Sequence, residues 1–124
     1  YSIFTVINMT QQESIKEEIA YWKKVGDNSF KEGNYLVALE AYETITHSDT
    51  QNVEAWKGMA TAFSLLDKPY DALQSLDRAI EIDPADSESL EIKDLLLKKL
   101  MEENQELLNR VKEKESDKSN QKLI

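Results

Sequence analysis

A chain of 124 residues, 40% apolar and 31% charged with only three glycines and two prolines, has the length of one domain and favours helix over a turn-rich sandwich or barrel. Its net charge of −9 opposes non-specific affinity for nucleic acid, because phosphate binding needs a basic face. The absence of cysteine excludes disulfides, thiolate metal sites and cysteine nucleophiles, the single His47 cannot furnish a zinc site alone, and no apolar run is long enough to span a bilayer.

The chain opens on a β-leaning stretch, Tyr1-Ser2-Ile3-Phe4-Thr5-Val6-Ile7, without the basic start and small-residue cleavage site of a signal peptide. Residues 1–12 are therefore expected to form an extended or disordered tail. Met9 is one candidate natural start, with residues 1–8 then foreign; the other reading is a piece of a longer protein. Thr10-x-x-Glu13 and Ser14-x-x-Glu17 both carry the capping-box pattern, so the first helix is expected to begin near one of them. Its apolar face runs Ile15, Ile19, Trp22, Val25, and Gly33 suits a left-handed C-cap. A second helix is expected over 35–47, a third over 52–66 and a fourth over 69–82, with Pro69 in a first turn where its missing N–H is no loss. The fifth starts near Asp86 and continues to about Lys114, and a polar tail covers 115–124.

Laid on itself at an offset of 34, the chain matches repeatedly: Trp22 with Trp56, Val25 with Met59, Gly26 with Ala60, Ala38 with Ala72, Leu39 with Leu73, Tyr42 with Leu76, Ile45 with Ala79 and Asp49 with Asp83. Small residues at fixed places let two helix backbones approach, and large ones fill the space beside them. Repeat one reads Trp22-x-x-Val25-Gly26, Phe30, Gly33-Asn34-Tyr35, Ala38, Tyr42 and Ile45; repeat two reads Trp56-x-x-Met59-Ala60, Phe63, Tyr70, Ala72, Leu76, Ala79 and Asp83-Pro84. Both resemble the tetratricopeptide repeat, whose period is about 34 residues. The resemblance covers about residues 19–86, as repeats over 19–52 and 53–86. Repeat one departs from the family pattern at Ser29 and Thr50, and repeat two places Asp67-Lys68-Pro69 where glycine is usual. The fold implied is all-α: a helix–turn–helix solenoid (an α–α superhelix) over 13–86, closed by a long capping helix over 87–114.

Carboxylate pairs such as Glu17/Glu18, Glu102/Glu103 and Asp83/Asp86 read as solvated helix faces, and no nucleophile–base–orienter set can be assembled from one histidine and no cysteine. Asp71/Asp77 and Asp83-x-x-Asp86-x-Glu88 lack the glycine of a calcium loop. The three glycines are scattered and make no phosphate loop. His47 reads as a C-terminal dipole or capping residue. The chain is thus expected not to be an enzyme and to carry no metal or cofactor.

The functional reading is a protein-interaction module, an adaptor or scaffold in the cytoplasm that binds a protein or peptide and neither nucleic acid nor membrane. The resemblance implies a concave groove lined by Lys23, Asp27, Phe30 and Lys31 from repeat one and by Lys57, Gly58, Thr61 and Ser64 from repeat two. One subfamily grips a peptide's terminal carboxylate with a lysine and asparagines. Lys23 matches that clamp, but Asp27 and Gly58 stand where asparagines belong, and an aspartate repels a carboxylate. Lys23, Lys31 and Lys57 still make the groove locally basic. On the last helix, Leu97, Asn104 and Val111 fall at heptad position a with Leu100 and Leu107 at d, the pattern of a parallel two-stranded coiled coil with one register-fixing asparagine. The half near Leu90, Leu95, Leu96 and Leu97 is expected to cap the repeats. The distal half, with Leu100, Met101, Asn104, Leu107, Leu108 and Val111, is expected to project and to bind a partner or a second copy. An alternative is an excised repeat segment of a larger regulatory protein.

Overall fold

The computed structural model describes residues 2–122; Tyr1, Leu123 and Ile124 lie outside the described residues. Five α-helices follow one another: α1 Ile3–Lys31, α2 Tyr35–Ser48, α3 Val53–Leu65, α4 Pro69–Ile82 and α5 Ser87–Lys122, with no strand among the described residues. Each helix packs on the next in the chain, and α1 also touches α3. The contacts fix the directions. Phe30 of α1 meets Tyr35 of α2 while Ile15 and Ile19 lie beside Ser48 and Asp49, so α1 and α2 are antiparallel. Lys93 pairs with Asp77 while Leu100 lies beside Pro69, so α4 and α5 are antiparallel too.

The 34-residue period reappears in the backbone hydrogen bonds. The α1–α2 turn closes with Asn34 N–H donating to Ser29 O (2.8 Å) and Gly33 N–H to Phe30 O (3.1 Å). The α3–α4 turn repeats this, from Lys68 to Phe63 (2.8 Å) and from Asp67 to Ser64 (3.2 Å). This is the pattern of a left-handed residue after a helix C-terminus. Gly33 takes it at φ 77° and Asp67, one period on, at φ 58°. The other two turns match as well. Asp49 Oδ1 accepts from Gln51 N–H and Asp83 Oδ1 from Ala85 N–H, and then Asn52 and Asp86 each accept the N–H three residues on, of Ala55 and Ser89. Such Asn and Asp acceptors satisfy donors that a helix start leaves free. The helix starting at Ser87 is therefore built at its N-terminus as α3 is.

The core follows the paired positions. Ala38, Leu39, Tyr42 and Ile45 of α2 pack with Ala55, Met59 and Ala62 of α3, flanked by the half-buried Ile19, Trp22, Phe30, Trp56, Phe63 and Leu66. Ala72, Leu76 and Ala79 are fully buried at the places where repeat one has Ala38, Tyr42 and Ile45.

Both terminal helices exceed their expected bounds. Ser2 rather than Thr10 or Ser14 caps α1, its Oγ accepting from Thr5 N–H at 3.2 Å, so residues 3–12 are helical and not an extended tail. No glycine or proline stands between Ser2 and Gly26 to stop the helix, and Thr10 becomes an interior residue whose hydroxyl donates to Val6 O. α5 likewise runs through the expected polar tail to Lys122, because nothing after Pro84 breaks it. Residues 2–18 are exposed along their whole length, and so are residues 101–121.

Candidate functional site

The eight expected groove residues separate into three groups. Lys57 is buried in a carboxylate cluster. Its Nζ lies 3.2 Å from Glu54, 3.4 Å from Asp86 and 2.5 Å from Glu88, with the lysine side chain only 8% exposed. Glu54 is one turn back on α3, while Asp86 caps α5 and Glu88 lies in its first turn. The same Asp86 Oδ2 accepts the hydroxyl of Ser89 at 2.5 Å, and Ser89 is fully buried. Burial works to lower the Lys57 pKa, but hydrogen bonds to Glu88, Glu54 and Asp86 outweigh it and hold the ammonium above its ordinary value. The Ser89 hydroxyl, opposed by burial and helped by Ser89 N–H and Lys57, holds Asp86 below the usual carboxylate range. Lys57 thus fastens the start of α5 to α3 and offers no cation to a peptide, so the expected basic groove is corrected: here three carboxylates surround one lysine.

Phe30 and Asp27 belong to the packing around Tyr42. Phe30 lies against the Tyr42 ring with centroids 5.5 Å apart. The Tyr42 hydroxyl donates to the Asp27 carboxylate. Burial first, then that hydrogen bond and the charges of Asp27 and Glu54, push the phenol above its ordinary pKa. The ring itself fills a slot between two helices. A Cβ added at Gly26 of α1 would stand 2.8 Å from it, and one added at Gly58 of α3 would stand 2.7 Å from it. Gly58 is therefore not a vacated clamp position but the room that a tyrosine needs.

The remaining groove residues are Lys23, Lys31, Thr61 and Ser64. Lys23 and Lys31 are exposed on α1. Thr61 donates to Lys57 O on its own helix, and Ser64 lines a shallow hollow with Leu96 and Leu100. The structure gathers these four into no common site.

On α5 the body-facing residues are Ser89, Ile92, Lys93, Leu96 and Leu100, at helical spacing. Leu100 is buried at 9% exposure and belongs to the body rather than to a projecting surface, which removes the first d position of the expected heptad pattern. Leu90, Leu95 and Leu97, expected beneath the cap, are instead 46%, 61% and 40% exposed, because they lie off that stripe. Of the distal set, Met101, Leu107, Leu108 and Val111 stand exposed at 70%, 59%, 47% and 44%, with Asn104 exposed between them.

A further feature lies on another side of α3. Trp56 donates its indole N–H to Thr50 O at 3.0 Å, and the Arg78 guanidinium stands over the ring, 5.4 Å from its centroid. This pair divides two hollows, one lined by Phe63, Asp71 and Glu81 and the other by Glu43 and His47. His47 Nδ1 lies 2.7 Å from Glu43 O in the last turn of α2, in keeping with a helix-end role. The Trp56 position was marked by the repeat; its arginine cover carries no signature in the sequence. Among the described residues no group of three or more His, Cys, Asp or Glu is placed to hold a metal ion, and no helix is long and apolar enough to cross a membrane. No family model and no curated protein matches the chain.

Proposed function

We infer that the chain is a non-catalytic protein-interaction module of the tetratricopeptide kind, holding a protein partner on the distal half of α5. The observation that carries this reading is the change of environment along one helix. Through Leu100, α5 buries its apolar stripe on the repeats; beyond it the helix runs on for about 33 Å with Met101, Leu107, Leu108 and Val111 uncovered. An apolar stripe rimmed by charge is how an amphipathic helix meets a groove on another protein. The doubled turn geometry, the 34-residue period and the small–large pairing support the family likeness. The concave face is the weaker candidate, since Lys57, Phe30 and Asp27 are engaged within the fold.

The immobilised chain tests this on an extract of its source cell. A protein retained by the native chain is expected to be lost with Leu107→Glu/Val111→Glu and kept with Lys23→Glu/Lys31→Glu. Retention that survives the first pair and fails with the second would move the site to the α1 face.

A further inference from the structure

The overhang of α1 differs in kind from that of α5. Where α1 packs on α2, its inward side chains include Ile19 and Trp22 and the close contact at Gly26. Counting back by three or four residues, the same face passes through Ile15, Gln11, Ile7 and Phe4. Of these four only Gln11 is polar, and beyond it the apolar stripe resumes where its cover has ended. α2 stops at Ser48, level with Ile15 and Ile19, so residues 3–14 extend about 18 Å past it. Phe4 is 81% exposed and Ile7 47%, and Ile3, Val6 and Met9 beside them are exposed as well. A core-type stripe therefore continues onto a helix that nothing in the fold covers.

Charge narrows what can cover it. Residues 2–12 contain no Asp, Glu, Lys, Arg or His, in a chain that is 31% charged with a net charge of −9. Two copies brought together through most of their surface set like charges against each other. Through this segment they meet without an ionised group on either side, so no charge is desolvated and none is opposed. The α5 overhang has no such property, since Glu102, Glu103, Glu106, Arg110 and Lys112 crowd its stripe.

We propose that the cover is a second copy of this chain: residues 3–12 of two α1 helices pair antiparallel about a two-fold axis near Ile7, burying Phe4 and Ile7 of each. Antiparallel pairing is the closed arrangement, because a two-fold axis makes each copy's stripe the partner of the other's. It also points the two bodies away from one another and separates their net negative charges. The α5 overhangs project from the opposite end of each body, where α1 has its C-terminus, and stay free for the partner inferred above. The dimer does not depend on that partner.

Sedimentation equilibrium of the whole chain at several salt concentrations tests the pairing. The native chain is expected to sediment as a dimer in the micromolar range. Ile7→Asp is expected to raise the dissociation constant about a hundredfold, with unchanged helix content in the body, while Leu107→Asp leaves it unaltered. Added salt is expected to leave the dimer intact or tighten it by screening net repulsion. A native chain that is monomeric at high micromolar concentration, a dimer indifferent to Ile7→Asp, one dissolved by Leu107→Asp, or one weakened by salt would each overturn the proposal.

Discussion

The two repeats share the closing backbone hydrogen bonds of their turns, yet equivalent side chains meet different surroundings. Lys23 and Lys57 stand one period apart at the same place on α1 and α3. Lys57 is covered by the start of α5, with Asp86 and Glu88 on its ammonium, whereas Lys23 is exposed. Tyr42 and Leu76 are likewise equivalent and both buried, but the tyrosine faces glycines and donates to Asp27. A repeat's backbone follows from its own caps and turns; the role of each side chain follows from what the next element brings to it.

Replacing the two lysines separates these influences most strongly. Lys57→Met leaves Asp86 and its neighbouring carboxylates without their cation and is expected to cost about 3 kcal/mol, whereas Lys23→Met should stay within about 0.5 kcal/mol. Urea unfolding of the two variants measures the gap, and equal costs would mean that the cluster does not anchor α5.

The next contrast is smaller and lies at the glycine. Alanine inside a helix ordinarily gains about 1 kcal/mol over glycine, but Gly26→Ala should instead lose about 1–2 kcal/mol, because its Cβ meets the Tyr42 ring. Repeat two already carries the compatible pair, Ala60 with Leu76. Adding Tyr42→Leu to Gly26→Ala should therefore recover much of the loss, and a double-mutant cycle reads the coupling.

The smallest effect concerns pH. Tyr42 has a raised pKa in the fold, so unfolding lets the phenol ionise more readily. Stability is then retained below its ordinary value of 10.0 and falls as pH rises beyond it. Tyr42→Phe should cost about 1 kcal/mol at neutral pH through loss of the Asp27 hydrogen bond. It should also remove this part of the alkaline decline, as thermal unfolding between neutral and strongly alkaline pH would show.

How much could be read beforehand follows from the same division. The period, the order of five helices and the bounds of α2, α3 and α4 were legible to within a residue or so, since Asn34, Asn52, Gly33 and Pro69 act locally. The α1 start was misplaced because Thr10 and Ser14 carry cap patterns that compete with Ser2, and a cap pattern inside an unbroken helical run is silent. Lys57 looked like a free cation because two of its partners, Asp86 and Glu88, lie about thirty residues downstream. Leu100 looked like part of a projecting heptad because the heptad and body-facing stripes coincide there. Gly58 was read through a ligand position when its requirement was the space beside Tyr42.

That ring has a consequence for how the molecule comes apart. In a linear array, each unit can melt alone unless the contact with its neighbour is strong. Tyr42 belongs to α2, yet it fills the slot between Gly26 of repeat one and Gly58 of repeat two. Loosening repeat one withdraws the ring from the Gly58 notch, and loosening repeat two uncovers that side of the ring, so the wedge couples them and both are expected to open in a single cooperative step. The α1 segment ahead of Ile15 has no part in that wedge, and within one copy it frays without drawing the body open.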